Sequence, residues 1–263
     1  MNRINIKLLW MVLLISLALT SCKDEAVLNI NEPIVGARIR LYNFSINAPS
    51  VNFYANETKI SAALSQTGVE SINGVSFGGT YPANQYALAP GGENVIKATT
   101  SSTITTTTPN LTIASVAHNF VLDKYYSVFI SGIYNTTDKK SDAFVVEDNF
   151  PIALDTARAF IRIVNPCPNT TLKLVLTKTT VVTGQPPIVE DTQVATGVAY
   201  KSASAFFGFK PGAYSITVTD EATGKTAIRA ATSFLKERVY TLALRGNILT
   251  GTPATFIDNT VNK

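Results

Sequence analysis

Ala37-Arg38-Ile39-Arg40-Leu41-Tyr42-Asn43 and Ala159-Phe160-Ile161-Arg162-Ile163-Val164-Asn165 are two readings of one pattern, 122 residues apart. Two further pairs follow in the same order. Tyr86-Ala87-Leu88-Ala89-Pro90-Gly91 aligns with Phe207-Gly208-Phe209-Lys210-Pro211-Gly212, and Tyr126-Ser127-Val128-Phe129-Ile130-Ser131-Gly132 with Tyr240-Thr241-Leu242-Ala243-Leu244-Arg245-Gly246. Three ordered matches with slowly drifting spacing indicate a duplicated unit. Within and around them apolar residues fall at every second place, as in Leu172-Lys173-Leu174-Val175-Leu176 and Tyr214-Ser215-Ile216-Thr217-Val218. A period of two sends alternate side chains to opposite sheet faces. Turn signals such as Asn47-Ala48-Pro49, Pro90-Gly91-Gly92, Thr183-Gly184-Gln185-Pro186-Pro187 and Thr223-Gly224-Lys225 separate the runs. The expected fold is all-β: two tandem immunoglobulin-like antiparallel sandwiches. Glu57–Gln66 is the best local helix candidate.

The amino end has a different character. Arg3 and Lys7 precede an apolar run, Leu8–Leu19, that suits a secretory signal and is too short for a permanent span. Leu19-Thr20-Ser21-Cys22 resembles a lipobox, which implies cleavage before Cys22 and lipid on its sulfur. Lys23-Asp24-Glu25 is similar to a surface-export tag of some Gram-negative lineages. The expected division is a leader at 1–21, a lipidated tether at 22–35, a first repeat at 36–146, a linker at 147–156, a second repeat at 157–250 and a polar tail at 251–263. The expected location is the outer membrane, exposed at the surface or else facing the periplasm.

Composition excludes several classes. Without Arg3 and Lys7 the chain holds 20 basic against 18 acidic residues, and no Lys/Arg run provides a face for nucleic acid. With Cys22 lipidated, Cys167 has no partner for a disulfide and reads as a structural turn residue between Pro166 and Pro168. One histidine, His118, cannot build a histidine zinc site, and no Gly-x-Ser-x-Gly elbow accompanies it. The acidic pairs Glu147-Asp148, Glu190-Asp191 and Asp220-Glu221 read as solvated turns. Asp138 and Asp142 flank Lys139-Lys140, which opposes a calcium ion. No catalytic residue, metal or cofactor is expected. Asp155-Thr156-Ala157 resembles a bacterial O-glycosylation acceptor centred on Thr156. Phe206-Phe207-Gly208-Phe209 and Tyr125-Tyr126 are the aromatic leads for a sugar surface, against burial in the seam between repeats.

The residues Ala37–Ser45, the Ala48-Pro49 turn, Val51–Tyr54, Tyr86–Gly91 and Tyr126–Gly132 together resemble domain-of-unknown-function family 4397 of secreted and lipid-anchored bacterial proteins. The resemblance implies a sandwich without catalytic residues, with Ile39, Leu41, Val51, Phe53, Val128 and Ile130 in its core. Pro166-Cys167-Pro168 departs from the pattern in the second repeat. The functional expectation is a non-enzymatic binding or adhesion module for glycan or protein, with membrane lipid as a partner through Cys22. A structural spacer is the alternative, and a hydrolase of extracellular polymer comes third.

Overall fold

The computed structural model describes residues 35–61, 73–102, 107–151 and 155–262. Residues 1–34, with Cys22 and the expected leader, lie outside that set, as do positions 62–66 of the expected helix. Every named element among the described residues is a strand. The first nine are β1 (Ala37–Asn43), β2 (Val51–Ala55), β3 (Thr58–Lys59), β4 (Thr80–Tyr81), β5 (Ala87–Ala89), β6 (Gly92–Thr100), β7 (Thr112–Phe120), β8 (Tyr125–Asn135) and β9 (Lys140–Glu147). The second nine are β10 (Ala159–Asn165), β11 (Thr171–Thr180), β12 (Ile188–Ala199), β13 (Ser202–Ala203), β14 (Phe207–Phe209), β15 (Gly212–Asp220), β16 (Thr226–Phe234), β17 (Val239–Arg245) and β18 (Phe256–Val261). Thr58-Lys59 is strand and not helix, because its backbone completes the edge of β2.

The strands form two sandwiches of equivalent wiring. One sheet of the first runs β4-β1-β8-β9, with β5 beside β1, and the other runs β3-β2-β6-β7. In the second the orders are β13-β10-β17-β18, with β14 beside β10, and β12-β11-β15-β16. Pairing between named strands is antiparallel except for β1–β8 and β10–β17, which run parallel. Each sandwich has its own core. Ile39, Leu41, Val51, Phe53, Val128 and Ile130 fill the first, and Ile161, Ile163, Leu172, Leu174, Leu176, Ile216, Val218 and Leu242 the second.

Strand register corrects two expectations. Ala37 pairs with Ala89 and Ala159 with Phe209. The true equivalent of Tyr86 is therefore Phe206, one residue before the position that the two Pro-Gly turns suggest. The turns mislead because their prolines occupy different turn positions, and a one-residue slip exchanges the faces of a strand. The expected tail at 251–263 also contains β18, which pairs along β17 from Tyr240↔Val261 to Arg245↔Phe256. It closes the second sheet as β9 closes the first.

Small polar devices fix the corners. Tyr126 Oη accepts the amide of Val121 at 3.1 Å, and Tyr240 Oη accepts that of Leu235 at 2.9 Å. Asn43 Nδ2 donates to the carbonyls of Pro49 and Val75, and its equivalent Asn165 donates to those of Thr170 and Val198. Each asparagine, fully buried, pins the crossing of the chain from one sheet to the other. Cys167 is likewise buried in the second core, with Sγ 3.5 Å from the Gly246 carbonyl.

Asp220 is not the solvated residue that its neighbour Glu221 suggests. It is buried, and accepts the Thr171 amide at 3.0 Å and the Thr223 hydroxyl at 2.6 Å. Burial alone would raise its pKa, but the Thr223 hydroxyl and the amides of Thr171, Thr223 and Ala222 outweigh it and hold the carboxyl below its usual range. Stability from a depressed acid is present above the unfolded-state pKa and fades as pH falls through the folded-state value. Asp220→Asn should therefore destabilise at neutral pH, with the gap to the parent shrinking under acid; urea titrations across that range measure it. Tyr126→Phe and Tyr240→Phe should each cost about 1 kcal/mol. Lying in separate sandwiches, the two losses should add in a double variant.

Candidate functional site

The strands β1, β8, β10 and β17 are buried on both faces, and the face turned away from each core makes the seam between sandwiches. Tyr42, Phe44, Phe129, Phe144, Val164 and Ala243 form its apolar centre. Tyr42 stacks on Phe129 with ring centroids 4.3 Å apart, and Phe129 on Phe144 at 5.1 Å.

A buried ionic cluster flanks that centre. Arg162 is 2% exposed and Asp148 3%. Arg162 Nη2 donates to Asp148 Oδ1, Nη1 to the Glu147 carbonyl at 3.2 Å and Nε to Thr241 Oγ1 at 3.1 Å. Asp148 Oδ2 accepts Tyr86 Oη at 2.6 Å and Ser127 Oγ at 2.9 Å. The guanidinium lies 4.7 Å from the Phe206 ring centre. Asp148 thus departs from the reading of Glu147-Asp148 as a solvated turn: the second sandwich covers it. Burial, and then the Asp148 carboxylate, drive the Tyr86 phenol far above its ordinary pKa.

The cluster has a pseudo-twofold counterpart. Arg40, fully buried, lies 4.7 Å from the Tyr86 ring centre, as Arg162 does from Phe206. Its Nε donates to the Gln85 carbonyl at 2.9 Å and its Nη1 to the Val261 carbonyl at 3.3 Å. Asn262 occupies the place of Asp148: their amides donate to the equivalent carbonyls of Val239 and Tyr125. Asn262 Nδ2 donates to Tyr86 Oη at 2.8 Å. One half of the seam thus holds an ion pair and the other an amide.

Contacts across the seam join like ends. The end where the chain enters at Val35, called the near end, carries the starts of β1 and β10. At the far end the Gly132 amide donates to the Pro166 carbonyl at 3.2 Å. There too Tyr200 Oη donates to Asp142 Oδ2 at 2.8 Å and lies 3.1 Å from Ser131 Oγ. Gly132 has φ +77°, and a Cβ on it would fall 2.6 Å from the Tyr200 hydroxyl, so both backbone and contact require glycine there.

The aromatic leads resolve into interior parts. Tyr126 and Phe209 enter the cores, while Tyr125 and Phe206 pack around Phe150 in the seam. Phe207 packs partly against the second core and is also partly open. It lines a near-end cleft of about 420 Å³ with Tyr214, Lys178, Glu190 and Lys210. A far-end cleft of about 360 Å³ is lined by Asn47, Pro49, Thr107, Tyr134, Thr136 and Lys139. Its mixture of one ring, hydroxyls, an amide and an ammonium suits a polyhydroxylated ligand, though no sequence motif announces it. His118 is half-buried on β7 against Phe120 and Tyr126. Thr156 is exposed in a near-end turn where Asp155 accepts the Ala157 amide and pairs with Arg158. Among the described residues no three His, Cys, Asp or Glu side chains converge as metal ligands.

Arg162→Met or Asp148→Leu alone should cost about 3–5 kcal/mol, because each strands its partner's buried charge. The double variant should recover most of that loss. Thermal melts of the four proteins check the cycle.

Among solved structures, the tip fimbrial protein Mfa3 of Porphyromonas gingivalis is 9% identical, with 86% of this chain and 99% of that one covered and a TM-score of 0.29. The fimbrial anchor protein Mfa2 of the same organism is 13% identical, with 86% and 96% covered and a score of 0.25. A proposed cell adhesion protein of Bacteroides ovatus is 10% identical, with 88% and 98% covered and a score of 0.27. Scores this low bear on neither fold nor activity here. No curated protein matches the chain. The sequence model of the family described as "Domain of unknown function (DUF4397)" matches residues 37–171, from the first strand of the first sandwich to the first residue of β11, and the chain belongs to that family.

Proposed function

We propose that the protein is a lipid-anchored module of the bacterial outer membrane, displayed at the surface, that binds a glycan or protein without catalysing a reaction. The seam carries this reading. Its stacked rings and buried Arg162–Asp148 pair lock two sandwiches into one rigid body. That body places the tether entry at Val35 on one end and the polar cleft around Tyr134 on the other. Lipid on Cys22 would hold the first end to the membrane and turn the second outward. The second repeat serves in this reading as a further copy of the family domain. The same rigidity favours a spacer as the second reading.

Two measurements separate these. Palmitate labelling of cells should mark the protein and should vanish in Cys22→Ala; an unlabelled parent would end the anchor reading. Glycan-array binding should weaken roughly tenfold or more in Tyr134→Ala, the loss of a central aromatic contact. An array with no binding glycan, together with no protein captured at the cell surface by photocrosslinking from the cleft, leaves the spacer. Thr156 is a second attachment point in this reading, and an intact mass equal to that of the bare acylated chain would remove it.

A further inference from the structure

The exposed large apolar residues are not scattered over the body. Of the thirteen among the described residues, Val35, Leu88, Val121, Leu122, Val181, Val182, Ile188, Val189, Leu235 and Val261 lie at the near end. Their positions follow from register. Val121 and Leu122 form the turn into β8, whose first residue pairs with Arg38, and Leu88 pairs with the same arginine. Leu235 is the equivalent of Val121 in the turn into β17. The β11–β12 hairpin reaches the same end: Thr177 pairs with Ser215, near the start of β15, and Thr180 with Ile188 beyond it. Its tip, Val181 to Pro187, projects past the sandwich with Val181 74% and Val182 48% exposed. The corresponding β2–β3 hairpin stops at Ala55↔Thr58 and has no such arm.

Apolar side chains clustered on one end of a soluble body indicate something that covers them. The chain itself indicates what. It enters the body at Val35, among these residues, after a tether that the preceding reading fixes to lipid at Cys22. Fully extended, the thirteen steps from Cys22 to Val35 reach at most about 45 Å. The surface nearest this end is then the bilayer that holds the acyl chains.

We infer that the near end, through Val121, Leu122, Val181, Val182 and Leu235, seats directly on the lipid surface. The inference rests on the anchor reading and adds a second membrane contact to it. Lone valines and leucines at turn tips bind lipid weakly, while a tether that keeps them within reach makes a weak contact persistent. Exposed Lys210 and Lys236 lie in or beside these turns and can place their ammonium groups among headgroups while their stems stay in the apolar layer, whereas Lys124 pairs with Glu147 at 3.2 Å. The body then stands upright, with the Tyr134 cleft away from the membrane.

The mature chain holds no tryptophan, since Trp10 falls in the leader. Single tryptophans therefore report depth. Val182→Trp and Leu235→Trp mark the near end, and Ile133→Trp the far end, where Ile133 is also exposed. The acylated full-length mature protein, of a mass that excludes glycan on Thr156, is reconstituted on phosphatidylcholine–phosphatidylglycerol vesicles. Emission at positions 182 and 235 should shift to the blue and be quenched by brominated acyl chains, and that at 133 should do neither. Co-flotation with all three positions equally water-exposed overturns the seating and leaves the anchor standing. Failure to co-float overturns both. A blue shift without vesicles that grows with protein concentration identifies a second copy as the occupant and overturns the lipid assignment.

Discussion

The architecture depends on one buried contact, the guanidinium of Arg162 against the carboxylate of Asp148. Removing either charge would leave the other buried without its partner, at a cost of several kcal/mol. Arg162 belongs to the second sandwich, and Asp148 follows directly after the last strand of the first. Their pairing makes the two halves dependent on one another. Stacked rings could slide along a seam; a multiply hydrogen-bonded guanidinium cannot. Tyr86, Ser127, Thr241 and Phe206 complete the shell around the pair. The seam thus fixes the relation between the near and far ends that any function of the body must use.

Much of the fold was legible because it follows from short-range rules. Alternation in Leu172–Leu176 and Tyr214–Val218 identifies half-buried strands directly, and the repeated Ala37 and Ala159 motifs reveal the duplication. The continuous burial of β1 was also present in the sequence, in a mixed form: Ile39 and Leu41 face the core, while Arg40 and Tyr42 face the second sandwich. A polar or aromatic residue at every other place normally means water. Here it means a partner whose position no local pattern encodes. The parallel pairing of β1 with β8 has the same character, since it joins segments more than eighty residues apart.

The functional features were less legible for the same reason. Asp148 stands in a polar run that resembles any linker, and only the other sandwich makes it buried. Phe206 could not be assigned to the seam while the Pro-Gly turns set the alignment one residue out. Phe256–Val261 lacks the apolar alternation of an interior strand because it is an edge, and edges answer chiefly to backbone hydrogen bonding. The far-end cleft gathers Asn47 and Pro49 from the turn after β1, Thr107 from the β6–β7 turn, and Tyr134, Thr136 and Lys139 from the end of β8 and the turn beyond it, so no single spacing could have announced it. The near-end apolar cluster was present one residue at a time, but becomes a surface only when register sets three turns side by side.

The substitution of Asn262 for a second aspartate bears on which halves can associate. A pair of first sandwiches would bring Arg40 and Asp148 from each, with every charge matched. A pair of second sandwiches would bring two copies of Arg162 and no carboxylate from position 262. Association of that second kind would bury cations without counterions, a penalty that discriminates against it. Exchange of halves between neighbouring molecules is thereby biased: pairing through two carboxyl-terminal halves is disfavoured relative to pairing of unlike halves.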